Sequence, residues 1–193
     1  INPATLTVKT EGAKRAYNGK PLTAEGTITG FVNGETAKFT VTGSQTTVGQ
    51  SQNTYNIDWK AKDTTAKKGN YTISEDLGDL VVTQFAEKIT VTTTGGKFTY
   101  DGNAHGATVA VTGLPAGYTV ETATSDATAT DVTEKAVKAE CDHLVIKDDQ
   151  GKDVTSELNV DYKAGTIQIN PATLTVKTEG AKRAYNGKPL TAE

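Results

Sequence analysis

At 193 residues the chain exceeds one small domain and suits two. A net charge of −3 and a pI near 5.5 give no global basic field for nucleic acid or anionic lipid. No apolar run is long enough for a membrane-spanning helix, no basic-then-apolar start reads as a signal peptide, and one cysteine excludes an internal disulfide framework.

In chain order, the first signal is the alternation at Leu6 and Val8, the period of two that marks a half-buried strand. Tyr17-Asn18-Gly19 follows as a tight turn, because Asn and Gly tolerate positive φ. Further alternating pairs, Phe39/Val41, Tyr55/Ile57/Trp59 and Leu80/Val82, predict more strands. The chain is rich in Thr and Val, which are stiff at χ1 and favoured on pleated surfaces. At Ile89 the pattern restarts. Ile89, Val91, Gly95, Lys97 and Tyr100-Asp101-Gly102 match Leu6, Val8, Gly12, Lys14 and Tyr17-Asn18-Gly19 at a constant offset of 83. The match continues through Val111-Thr112-Gly113-Leu114 and returns near the end, where Val160, Gly165, Ile167 and Ile169 answer Ile73, Gly78, Leu80 and Val82. Between them, Tyr118 and Val120 are aligned with Phe39 and Val41, and Val137, Ala139 and Cys141 with Tyr55, Ile57 and Trp59. Residues 131–140 have helical propensity, but that alignment predicts a strand there. Residues 169–193 then repeat residues 1–25 letter for letter, at an offset of 168.

A unit of about 84 residues is a whole domain, since solenoid repeats run to roughly 20–45 residues. The reading is an all-β chain of two tandem, homologous β-sandwich-like domains arranged end to end, each with about seven strands. Residues 1–85 form the first unit, 86–170 the second, and 171–193 the start of a third, within a longer array; the alternative register starts near Gly26 and leaves residues 1–25 as the surplus. Leu6, Val8, Tyr17, Phe39, Val41, Tyr55, Ile57 and Trp59 are the predicted core of the first unit. Ile89, Val91, Tyr100, Tyr118, Val120, Val137, Ala139 and Cys141 are that of the second. The partial third unit should pack on the second or pair with a free strand edge. Junctions free of Gly/Ser linkers predict a stiff rod.

The turns at Tyr17 and Tyr100, the stretch Ile-Lys-Asp-Asp-Gln-Gly-Lys-Asp-Val-Thr at 146–155 and the closing Gly-Thr-Ile-Gln-Ile at 165–169 carry a resemblance. They resemble the mostly-β, glycine-rich (MBG-type), Ig-like tandem repeats of bacterial surface proteins. The resemblance implies a cell-wall-attached, adhesin-like protein, extracellular, in which such domains form stalks; it carries over no catalytic residue. A Met-free chain with one cysteine suits an oxidising exterior.

Candidate sites weigh less than this. Cys141 has His143 two residues on, as a thiol nucleophile with its base would, but the buried small hydrophobe is the expected role. His105 has no second metal ligand beside it and reads as a turn residue. Asp142, Asp148, Asp149, Asp153 and Glu157 lack the alternation of a calcium loop and read as a solvated hairpin loop. Thr92-Thr93-Thr94 and residues 127–130 lack the regular repeat of an ice-binding face. Lys9 or Lys14 with Asn70 or Asn159, and Glu75 as proton shuttle, would suit a lysine–asparagine isopeptide crosslink, but Tyr162 stands where a second unit would need Glu75. The expectation is therefore no enzyme, no catalytic, cofactor or metal site, and no nucleic-acid or membrane partner. The partners are neighbouring repeats, with a structural spacer as the function. The alternative is a weak glycan- or host-protein-binding module acting by avidity.

Overall fold

The computed structural model describes residues 2–191; Ile1 and residues 192–193, at the outer limits of the first and third predicted units, lie outside it. The chain is all-β, in several small sheets without a barrel among the described residues. No helix is long and apolar enough to cross a membrane. In the first unit the strands are β1 (Ala4–Thr10), β2 (Ala13–Ala16), β3 (Gly26–Thr29), β4 (Lys38–Val41), β5 (Gly49–Gln52), β6 (Tyr55–Asp58), β7 (Tyr71–Leu77) and β8 (Asp79–Thr83). In the second they are β9 (Lys88–Thr94), β10 (Gly96–Thr99), β11 (His105–Gly106), β12 (Thr108–Thr112), β13 (Thr119–Thr124), β14 (Thr128–Ala129), β15 (Val137–Ala139), β16 (His143–Lys147), β17 (Asn159–Lys163) and β18 (Gly165–Asn170). A single 3-10 turn precedes the last strand pair of each unit, Lys68–Asn70 and Thr155–Glu157.

The two units repeat one topology. The sheets of the first are β3-β1-β7, β2-β8-β5 and β4-β6; those of the second are β12-β9-β17, β10-β18-β15 and β13-β16, with β11-β14 added. The first and last strands pair in parallel, Leu6 opposite Ile73 and Ile89 opposite Val160. Both strands then change sheet together, where their backbones cross at paired glycines. A Cβ on Gly78 would lie 2.3 Å from the Gly12 nitrogen, and one on Gly165 2.5 Å from the Thr93 oxygen. Only glycine permits so close an approach. In the first unit the crossing leaves carbonyls that Asn53, fully buried, satisfies: its Nδ2 donates to the oxygens of Glu11 at 2.9 Å and Ala24 at 3.1 Å.

This topology corrects the alignment in the middle of the units. β15 pairs antiparallel with β18 as β5 does with β8, while β16 pairs with β13 as β6 does with β4. The counterpart of Val137 is thus Ser51, which sits opposite Leu80 as Val137 sits opposite Ile167. Cys141 does not occupy the slot of Trp59: it lies in the connection before β16, whereas Trp59 follows β6. β5, Gly-Gln-Ser-Gln, has no apolar alternation, and so the strand is invisible to periodicity. No helix forms over 131–140; the strand Val137–Ala139 does.

Packing follows the parallel ladders more than the predicted core. Leu6, Val8, Tyr17, Ile89, Val91 and Ala139 are buried as expected, together with Leu80, Val82, Ile167 and Ile169. Phe39, Val41, Tyr55, Ile57, Trp59, Tyr118, Val137 and Cys141 are only half-buried, and Tyr100 and Val120 are exposed. The reason is that β4-β6 and β13-β16 are two-stranded outer ribbons that cover the ladders from one side. Three apolar clusters result. One holds Leu6, Ala66 and Tyr71, and another Ala139, Ile167 and Ile169. The third crosses between the units: Tyr17, Leu22, Leu80 and Val82 of the first meet Ile89, Ile146, Val154 and Leu158 of the second.

The partial third unit is not tied down. Residues 171–191 form no strand and are exposed throughout. Leu174, Val176 and Tyr185 are 87, 78 and 98 % exposed, against 0, 0 and 3 % for their copies Leu6, Val8 and Tyr17. They lack the partners that β7 and β8 provide to the first copy, and the ends of the second unit take them up on neither an edge nor a face.

Candidate functional site

Two concave regions stand out. The first is a shallow groove of about 360 Å³ between β6 and β7, lined by Tyr55, Ile57 and Trp59 on one side and Ile73, Glu75 and Leu77 on the other, with Lys68 at one end. Alternation along both strands aims these odd-numbered side chains at each other. The Tyr55 hydroxyl donates to the Glu75 carboxylate. Burial first, and then this bond, push the Tyr55 phenol up to about 12, so it stays a donor at any ordinary pH. Tyr55 lies 5.6 Å from Phe39 between ring centres, and Trp59 stacks on Tyr71 at 6.3 Å. Tyr55 and Trp59, placed in the core by their alternation, are half-buried and border an open groove. The arrangement suits stacking against an apolar face flanked by hydrogen-bonding groups, and contains no nucleophile–base pair.

The second is a cleft of about 520 Å³ between the units, where Tyr17, Asn18 and Lys20 face Tyr118, Asp148, Asp149 and Lys152. Beside it the units are fastened by polar contacts. The Val48 N–H donates to the Glu157 carboxylate, and the Phe85 N–H to the Glu157 carbonyl at 2.9 Å. Phe85 also packs against Tyr118, 6.4 Å between centres. Burial is the first cause raising the Tyr17 and Tyr118 phenols, with Asp148 adding to both.

The candidates from sequence are dispersed. Cys141 donates weakly to the His143 carbonyl at 3.5 Å, and burial pushes its thiol up, away from the nucleophilic form. The His143 ring instead meets Asp126 at 3.0 Å. His105 belongs to β11 rather than to a free turn: it stacks on Phe98 at 4.0 Å and bonds Asp101 at 3.1 Å. The acids serve local structure. Asp142 accepts from Asp126 N–H, Asp148 from the N–H groups of Gln150 and Lys152, and Asp153 from both N–H and hydroxyl of Thr155. Asp149 is exposed. Glu157 is not in a solvated loop but buried at the junction, which sequence reasoning missed because a lone acid carries no signal of its partner. Among the described residues no three His, Cys, Asp or Glu side chains converge as metal ligands do.

The crosslink set does not assemble either. Lys9 is opposite Asp76, whereas Asn70 precedes Tyr71 at the other end of the same ladder, about 20 Å away along the strand. Lys14 lies beyond the sheet switch, opposite Val81, and Asn159 is in the other unit, opposite Lys88. Thr92 and Thr94 flank a buried Thr93 on β9 and form no flat array; Thr128 lies on the two-residue β14, whose size rules out such a face there too. No protein-family model matches the chain, and no curated protein or solved structure matches it either.

Proposed function

We propose that this chain is a length-setting spacer: two β-sandwich-like units joined end to end, repeated in an extracellular array that projects a binding domain from a bacterial cell wall. One observation carries the reading, the apolar cluster shared between the units. A joint with a continuous core and a buried carboxylate clasp resists the hinge motion that separate domains show by default. The letter-for-letter copy at an offset of 168 adds the means of growth, since copying a period lengthens a rod without new chemistry. The cell-surface setting rests on the turn motifs and composition. The neighbouring repeats are its partners, and no catalysis, cofactor, nucleic acid or membrane enters.

Small-angle X-ray scattering on chains of one, two and three periods tests it. Maximum dimension should rise in near proportion to period number, whereas freely hinged beads grow closer to the square root. Square-root growth would remove the spacer.

A second reading is favoured by the groove at Tyr55, Trp59, Ile73 and Glu75: a weak binding module for a glycan or host protein, repeated for avidity. A glycan array probed with the whole chain decides this. A hit lost in Trp59→Ala and kept in Tyr17→Phe would establish the groove as its site.

A further inference from the structure

Building on the spacer reading, we infer that the free lower end of the second unit, around Tyr100, is a docking face for the upper end of another first unit, a second copy of residues 1–85. The three apolar clusters argue this. In the shared cluster, the second unit contributes its upper half-core and the first unit its lower one. The upper half-core of the first unit is the same structure as that of the second: Leu6, Phe31 and Tyr71 stand where Ile89, Leu114 and Leu158 stand. Likewise Ile167 and Ile169, in the lower half-core of the second unit, stand where Leu80 and Val82 stand in the first. The chain thus contains one completed joint and the two unmatched halves of another.

Exposure follows the same division. Tyr17 and Tyr100 are equivalent down to the backbone, each N–H donating at 2.8 Å to the end of the last strand, Thr83 and Asn170 respectively. Tyr17 lies in the joint and is buried, while Tyr100 is 43 % exposed. Val132 at the same end and Val32 at the upper end of the first unit are exposed too. Singly exposed apolar residues are ordinary on a monomer, and what sets Tyr100 apart is that its equivalent Tyr17 is covered by the next unit. The clasp has a counterpart: Asn70 ends its 3-10 turn as Glu157 ends the second, keeping a side-chain acceptor without the charge. Between the last strand and the copy of the β1 sequence at 172–178 only Pro171 intervenes, against residues 84–87 at the completed joint, so a following unit would be held closer.

The test compares this chain with one extended by a full period of 168 residues. Tyrosines are nitrated with tetranitromethane, and each peptide is followed by mass spectrometry. In the present chain Tyr100 should react rapidly, like the bare Tyr185, and Tyr17 slowly. In the extended chain one of the two Tyr100 copies gains a neighbour, so the fast phase of the Tyr100 peptide should lose half its amplitude to a phase as slow as Tyr17. Fast reaction of both copies overturns the joint. Scattering on the same samples separates the causes. Linear growth with both copies fast leaves the spacer reading standing without this joint, and square-root growth with both copies fast removes both.

Discussion

Residues 3–25 and 171–193 are one sequence in two surroundings. In the first copy Ala4–Thr10 and Ala13–Ala16 are strands, with Leu6 and Val8 at the centre of packing. In the second, residues 171–191 contain no strand. One feature survives the change. The Asn-Gly turn keeps its form, with φ of 75° at Gly19 and 71° at Gly187. The Lys20 N–H donates to Asn18 Oδ1 at 3.1 Å, and the Lys188 N–H to Asn186 Oδ1 at 3.2 Å. Arg15 and Arg183 both donate forward to the carbonyl five residues on, of Lys20 and Lys188. Turns are set by contacts within a few residues, whereas a strand needs another strand, and an isolated pair is marginal even then.

The largest test of this contrast is Leu6→Ala. Removing a fully buried leucine should cost roughly 2–5 kcal/mol, read by urea unfolding. Leu174→Ala, the same change in the same local sequence, should stay within about 0.5 kcal/mol of zero. A comparable loss in both would mean that the tail is packed in solution. Next comes the junction: Glu157→Ala leaves the half-buried Val48 N–H without its acceptor, a loss of about 1 kcal/mol. It should also split one unfolding transition into two, and a single unchanged transition would count against coupling of the units. Gly19→Ala should cost about 1 kcal/mol for forcing a side chain into positive φ, while Gly187→Ala changes stability not at all.

The smallest effect compares the two tight turns. Asp101 replaces Asn18, and its carboxyl is held below the ordinary carboxylate range, first by the Asn103 N–H and then by His105. A depressed folded pKa gives stability present above the unfolded value and lost as pH falls through the folded one. Acid should therefore weaken the second unit slightly, and Asp101→Asn should flatten that slope in a pH series of thermal melts. An unchanged slope would show that the carboxylate contributes nothing to the turn.

The sites follow the same division. The motif at Tyr100-Asp101-Gly102 was legible, but the role of His105 was not, because its partner Phe98 comes from the neighbouring strand β10. The groove residues Tyr55 and Trp59 read as core because they alternate, yet alternation reports only that a strand has two faces. Whether the apolar face is covered depends on what lies opposite, and the space between β6 and the facing β7 stays open. Glu157 read as part of an acidic loop, and only the approach of Val48 from the other unit makes it a clasp.

Sequence by itself determined the all-β class, the duplication, the turns and the residues of the first and last strands, since each rests on local periodicity, backbone permission or identity. The tertiary structure decided which strands pair: β5 and β15 have little pattern of their own and are strands because β8 and β18 present them an edge. It also decided that the core runs between the units. Burial is a property of two surfaces brought together, and one segment of sequence, written twice in this chain, is buried where it finds the second surface and bare where it does not.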